Sequence, residues 1–221
     1  MKSTRVKKLA TLAMLSALAF LLTFLAVLGA VPATPFLKYE PKDVVMLIAG
    51  FLYGQLPVIP MSIAVSALEM PFSNTGAIGL VMNILSTCTF VCPAAFAYKK
   101  WRTMAGAAVG LVSGIFLMTS VMLLWNYLLT PIYTGMPREA IAALLLPGFL
   151  PFNMVKGSLN AAMTMLLYPP VRQALDKSRL LPIESPGGGK TSKKLSMGAL
   201  AASLFVIISC VLFILSLRGM I

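Results

Sequence analysis

The sequence predicts an all-α membrane protein that crosses the bilayer several times. Three observations lead there. Of its 221 residues, 59% are hydrophobic and only 11% charged, and the mean hydropathy of +0.91 lies well outside the range of soluble domains. Uncharged runs of about 20 residues recur, which is the length at which a helix crosses a hydrocarbon core about 30 Å thick. No polar stretch is long enough to fold separately, so a single membrane-embedded domain with short loops is expected and a soluble catalytic domain is not.

The first run, residues 9–31, follows Lys2, Arg5, Lys7 and Lys8. It exceeds the apolar core of a signal peptide, about 7–15 residues, and is read as a retained helix. Region 44–70 is interrupted by Gly54, Gln55, Pro57 and Pro60. Two shorter helices, about 43–54 and 57–70, fit it better than one span. Runs 77–98, 104–130, 140–171 and 195–217 complete a count of seven, the 140–171 run being interrupted by Pro147 and Pro151.

This count also satisfies charge. Four Lys/Arg precede the first helix, three lie in the 99–102 loop and six in 172–194, all on one side. Lys38, Lys42, Arg138 and Arg218 fall on the other. The net charge of +12 is therefore an orientation signal that places the N-terminus in the cytoplasm, with a lipid bilayer and no nucleic acid as partner. Residues 173–194 read as a basic flexible linker that separates a domain, 1–172, from a final helix within 195–221. The linker's SPGGGKTSKK ends like a phosphate-binding loop, but Glu184 stands where that motif needs glycine and no strand precedes it. Cys88, Cys92 and Cys210 all lie in apolar runs, and the chain has no histidine. Neither a structural zinc site nor a Ser-His-Asp triad is available, so no catalytic residue, metal or cofactor is assigned.

Helices in lipid associate through small residues. Ala10, Ala13 and Ala17 share a face of the first helix, suited equally to internal packing and to a partner. Gly106, Gly110 and Gly114 form a ridge on the fifth, read as packing within the bundle. Polar groups are the other signal, because a lysine at the centre of a span costs roughly 2.5–3.5 kcal/mol. Asn153, Lys156 and Asn160, spaced i, i+3 and i+7, share one helical face. Asn126, between Trp125 and Tyr127, and Asn83 offer further amides, and Glu69 is read as the one acid deep in the membrane. Such a face either fixes helix packing or lines a ligand cavity, and the concentration of amides and aromatics favours the cavity. Paired amide donors and acceptors suit a planar, polar-edged molecule, with Trp125, Tyr127 and Phe152 available to its ring.

LATLAMLSALAFLLTF, PFLKYEPKDVVMLIAGFLYG, GLVMNILSTCTFVCPAAFAYKKWR, WNYLLTPIYTGMP and above all LPGFLPFNMVKG resemble the substrate-binding S components of energy-coupling factor (ECF) vitamin transporters, specifically the riboflavin-specific branch. The resemblance covers about residues 9–172. It implies a six-helix S-component bundle, with 195–217 as one additional C-terminal transmembrane helix. It also implies a non-enzymatic subunit of a bacterial plasma membrane that captures riboflavin from outside, beneath the loop after the first helix. Asn126, Asn153 and Lys156 match flavin-contacting positions, with Leu37, Tyr39 and Asn83 as further substrate-binding candidates. The Ala10, Ala13 and Ala17 face resembles the surface that docks on a transmembrane coupling subunit, and two ATPase subunits would hydrolyse the ATP.

The helix at 195–217 departs from this pattern. So does the loop sequence Lys38, Tyr39 and Glu40, whose cation suits the phosphate of flavin mononucleotide. Alternatives are an S component for another vitamin, with thiamine disfavoured by Lys156; an intramembrane enzyme, poorly served by Glu69 without histidine; and a purely structural membrane subunit. On the ligand reading, Lys156→Ala and Asn153→Ala are expected to weaken binding and leave the fold intact.

Overall fold

Apolar stretches with few breakers form helices whose ends are set by glycine, proline and capping side chains. The computed structural model describes residues 2–25, 39–73, 75–178, 180 and 197–217. Its helices are α1 (Lys2–Leu25), α2 (Lys42–Tyr53), α3 (Val58–Glu69), α4 (Gly76–Trp101), α5 (Met104–Thr134), α6 (Arg138–Leu144), α7 (Leu150–Lys177) and α8 (Met197–Leu217). A 3-10 turn, Met70–Phe72, follows α3, and a wide π-type turn, Leu145–Phe149, joins α6 to α7.

Region 44–70 divides as the sequence predicts. Gly54 adopts φ +88, a conformation that side-chain-bearing residues avoid, and Pro57 precedes α3. Each of the two helices has 12 residues and is about 18 Å long at 1.5 Å per residue, too short to cross alone. For α2 that length is no penalty, because all twelve of its residues are buried. A helix apolar around most of its circumference belongs at the centre of a bundle, and α2 packs against α1, α4 and α7. Four outer stretches are long and apolar enough to cross a membrane: Arg5–Phe24, Gly76–Trp101, Met104–Thr134 and Arg138–Lys177. Their outward faces carry large apolar side chains such as Leu21, Val112, Phe116 and Leu167.

The 140–171 run breaks where its prolines predict. Pro147 lies in the π-type turn and Pro151 in the first turn of α7. The helix then continues to Lys177, past the boundary at 172, because the prolines at 169 and 170 do not stop it. The description of α1 ends at Leu25 rather than 31, since residues 26–38 lie outside the described residues, as do 181–194 of the linker with the SPGGGKTSKK motif and the first two positions, 195–196, of the final run.

Helices α4 and α5 form the tightest pair. Arg102 turns the chain with φ 51, and the Thr103 hydroxyl caps α5 by accepting from the Gly106 N–H at 3.0 Å. The ridge expected from Gly106, Gly110 and Gly114 is buried here. A Cβ at Gly110 would sit 2.7 Å from the Ala97 Cβ, and one at Gly114 would sit 2.4 Å from the Phe90 carbonyl oxygen. A backbone atom cannot swing aside, so Gly114→Val is expected to destabilise the protein by about 1–3 kcal/mol or more. Its thermal unfolding in detergent, compared with that of Val112→Ala on the exposed face of the same helix, measures this. An equal melting temperature for both would show that α4 and α5 separate without cost.

Candidate ligand site

The expected α7 face exists. Asn153, Lys156 and Asn160 are all buried, and Asn160 completely so. Lys156 reaches across to α2 and α4. Its Nζ lies 3.4 Å from Asp43 Oδ2 and donates to Ser86 Oγ at 3.5 Å. Asp43 has a side-chain exposure of 0%, and its Oδ1 accepts from the Thr87 hydroxyl at 2.7 Å. The sequence reading of Glu69 as the one deep acid is thus corrected. Asp43 is buried more deeply, and it, not Glu69, is the acid beside Lys156.

Glu69 organises a second network. Its carboxylate pairs with Lys42, accepts from Thr23 Oγ1 at 2.7 Å and accepts from Asn83 Nδ2 at 3.2 Å. Lys42, itself buried, also lies 3.0 Å from Glu40. Asn83 therefore serves the Glu69 carboxylate. Lys42 and Asp43 are consecutive on α2, while Asn83, Ser86 and Thr87 occupy one face of α4, so the two networks stand side by side. Two cations meet three acids in this cluster, and the buried charge is nearly compensated.

Tyr39, just before α2, is buried and donates to Asn160 Oδ1 at 2.7 Å. Asn126 is fully buried, but its Nδ2 donates to the Met122 carbonyl at 2.6 Å and its Oδ1 accepts from Thr130 at 3.1 Å. Asn153 similarly donates to the Phe149 carbonyl at 2.7 Å, one turn back at the π-type turn. Phe152 is buried and Trp125 half-buried, whereas Tyr127 is exposed, so it is not available to an internal ring. Leu37 lies outside the described residues. Ala10, Ala13 and Ala17 are exposed along α1. The three cysteines are free thiols, and no cluster suited to a metal ion occurs among the described residues.

Sequence reasoning missed Asp43, Ser86 and Thr87. Ser86 and Thr87 look like ordinary small residues in an apolar helix. Asp43 looks like a first-turn acid favoured by the helix dipole. The available signal was the sequence after it, VVMLIAGFLY, which is apolar on every side and leaves the Lys42 and Asp43 pair no solvent-facing surface.

Among the described residues, two buried polar atoms here have no hydrogen-bond partner: Asp43 Oδ2, which lies in ion contact with Lys156, and Asn160 Nδ2. Buried polar atoms are rarely left unpaired without a reason. Lys156 precedes Asn160 by one helical turn, so an acceptor, a cation and an amide donor are concentrated in one region. The fold is a helical membrane bundle with this buried polar cluster between α2, α4 and α7.

A family described as "ECF transporter, substrate-specific component" matches residues 7–168, and the chain belongs to it. It is therefore a multi-pass membrane protein and a transporter's substrate-specific subunit. Riboflavin transporter FmnP of Bacillus subtilis is 32% identical over 79% of this chain and 97% of its own length. Riboflavin transporter RibU of Staphylococcus aureus is 31% identical over 73% of this chain and 88% of its own. A solved structure, described as "Structure and mechanism of the S component of a bacterial ECF transporter", superposes with a TM-score of 0.66 at 31% identity. That match takes in 77% of this chain and 98% of the other.

Proposed function

We propose that this chain is the riboflavin-binding S component of an ATP-driven ECF vitamin importer. One observation carries the reading: Asp43 Oδ2, Lys156 Nζ and Asn160 Nδ2 are buried in one cluster, where Asp43 Oδ2 and Asn160 Nδ2 have no hydrogen-bond partner among the described residues. The pyrimidine-dione edge of a flavin alternates carbonyl, N–H and carbonyl. That edge complements an acceptor flanked by donors. The names of the relatives from Bacillus subtilis and Staphylococcus aureus point to the same ligand.

In this reading Lys156 and Asn153 orient the flavin, Asp43 accepts its N–H, and Asn126 and Tyr39 hold the adjoining helix surfaces. The exposed Ala10, Ala13 and Ala17 face of α1 docks on a transmembrane coupling subunit, since small side chains let two backbones approach. Two ATPase subunits supply the work, and this chain hydrolyses nothing. The basic N-terminus lies in the cytoplasm of a bacterial cell. The test is the visible absorption of protein purified in detergent from riboflavin-fed cells. A flavin band near one per chain, displaced by riboflavin analogues and not by thiamine, is expected. Colourless protein that also fails to quench riboflavin fluorescence would overturn the ligand assignment.

A further inference from the structure

Helix α8 begins beyond the stretch shared with the family, which ends at residue 168. It has no charged residue from Met197 to Leu217 and packs against α7. Ser203 and Cys210, two turns apart, are its buried side chains among the described residues, while Leu204, Phe205, Ile208 and Leu212 are exposed on its other sides. The inward stripe meets α7 at the back of the ligand face: Cys210 clusters with Tyr39 and Leu159, and Val155, Met163, Val206 and Ile207 pack against that cluster.

Tyr39 is the residue through which this contact reaches the site. Its ring shares the apolar cluster with Cys210, while its hydroxyl donates to Asn160 Oδ1 and approaches the Met163 sulfur at 3.5 Å. Asn160 has one oxygen and one NH2 group. With its oxygen held by Tyr39, the amide plane is fixed and its uncommitted Nδ2 has a defined direction. Tyr39 precedes α2 rather than lying within it, and its ring shares its apolar cluster with Leu159 of α7 and Cys210 of α8.

We propose that α8 is a side wall of the ligand site, which seats Tyr39 so that Asn160 presents its amide nitrogen to the bound molecule. The inference rests on the riboflavin reading for its probe. Removing this wall frees the Tyr39 ring, lets the Asn160 amide rotate and shortens the ligand's residence without changing the contacts of Lys156. The effect belongs in dissociation, as is usual when contacts within one site are altered.

The test uses the full chain in detergent and follows riboflavin release by recovery of its fluorescence. Cys210→Trp, which wedges α8 away from Tyr39, is expected to speed release about tenfold, and Phe205→Ala on the outer face to leave it unchanged. Tyr39→Phe keeps the ring and removes the hydroxyl. In that background the Cys210→Trp effect should largely vanish, because residues acting through one contact are not additive. Ile207→Ala, a smaller change in the same stripe, replaces Cys210→Trp if the tryptophan variant does not fold. Unchanged release in the α8 variants, or equal effects with and without the Tyr39 hydroxyl, would overturn the proposal. Failure of the parent protein to bind riboflavin is a separate result, and it strikes the ligand assignment first.

Discussion

Lys156→Met is expected to weaken riboflavin binding by about 10- to 100-fold, the loss of one charge-assisted hydrogen bond worth about 1.5–3 kcal/mol. It is also expected to destabilise the fold. The sequence alone suggests that a Lys156 variant keeps its stability, but Asp43 changes that expectation. With its side chain fully buried and Lys156 3.4 Å away, Asp43 would be left as a buried charge supported by Thr87 alone. Removing one partner of a buried ion pair costs about 3–5 kcal/mol. Asp43→Asn retains the oxygen that accepts from Thr87 and removes the charge. The double variant Asp43→Asn/Lys156→Met is therefore expected to regain most of the stability and none of the affinity. Fluorescence titration with riboflavin beside thermal unfolding of the three variants separates the two roles. Parent-like affinity in the double variant would show that the pair only holds helices together, which is the structural-subunit alternative.

This pairing also shows how far the sequence could be read. Lys156 was legible because lysine in an apolar run is costly wherever it points, and spacing placed Asn153 and Asn160 beside it. The break at Gly54 to Pro57 was legible for a similar reason, since those residues act locally. Partner choice was not legible. Whether Lys156 meets Glu69 or Asp43 depends on how α2 is threaded between α1, α4 and α7, which no local pattern encodes. Asn83 illustrates the same point: an amide on the right helix turned toward Glu69, a residue only 14 positions earlier. The glycine ridge of α5 packs internally, as three small residues at four-residue spacing suit close backbone approach, whereas the alanines of α1, three and four residues apart on one face, are exposed. Small residues permit contact, and the neighbouring helices decide whether it occurs within the chain.

Glu69→Ala is the second substitution with a large expected effect, and it acts on stability before affinity. Its carboxylate joins four helices: Thr23 of α1, Lys42 of α2, its own α3 and Asn83 of α4. Loss of that carboxylate leaves Lys42 buried with only Glu40, whose side chain is 22% exposed. A cost of about 3–5 kcal/mol is expected for the uncompensated cation. For a membrane bundle of this size such a loss should appear as a lower melting temperature and poor recovery of monodisperse protein. Glu69→Gln keeps the shape and the acceptor for Thr23, so the charge can be tested alone, and Lys42→Met added to it removes the stranded cation. Stability should fall in Glu69→Gln and recover in the double variant, while riboflavin affinity stays near the parent's in the double variant because Lys156, Asp43 and Asn160 are untouched. If Glu69→Gln is as stable as the parent, Glu40 alone satisfies Lys42 and the network is not what fastens α1 to the bundle. Recovery in the double variant with affinity still lost would instead place Lys42 beside the ligand, so the two networks would function as one site.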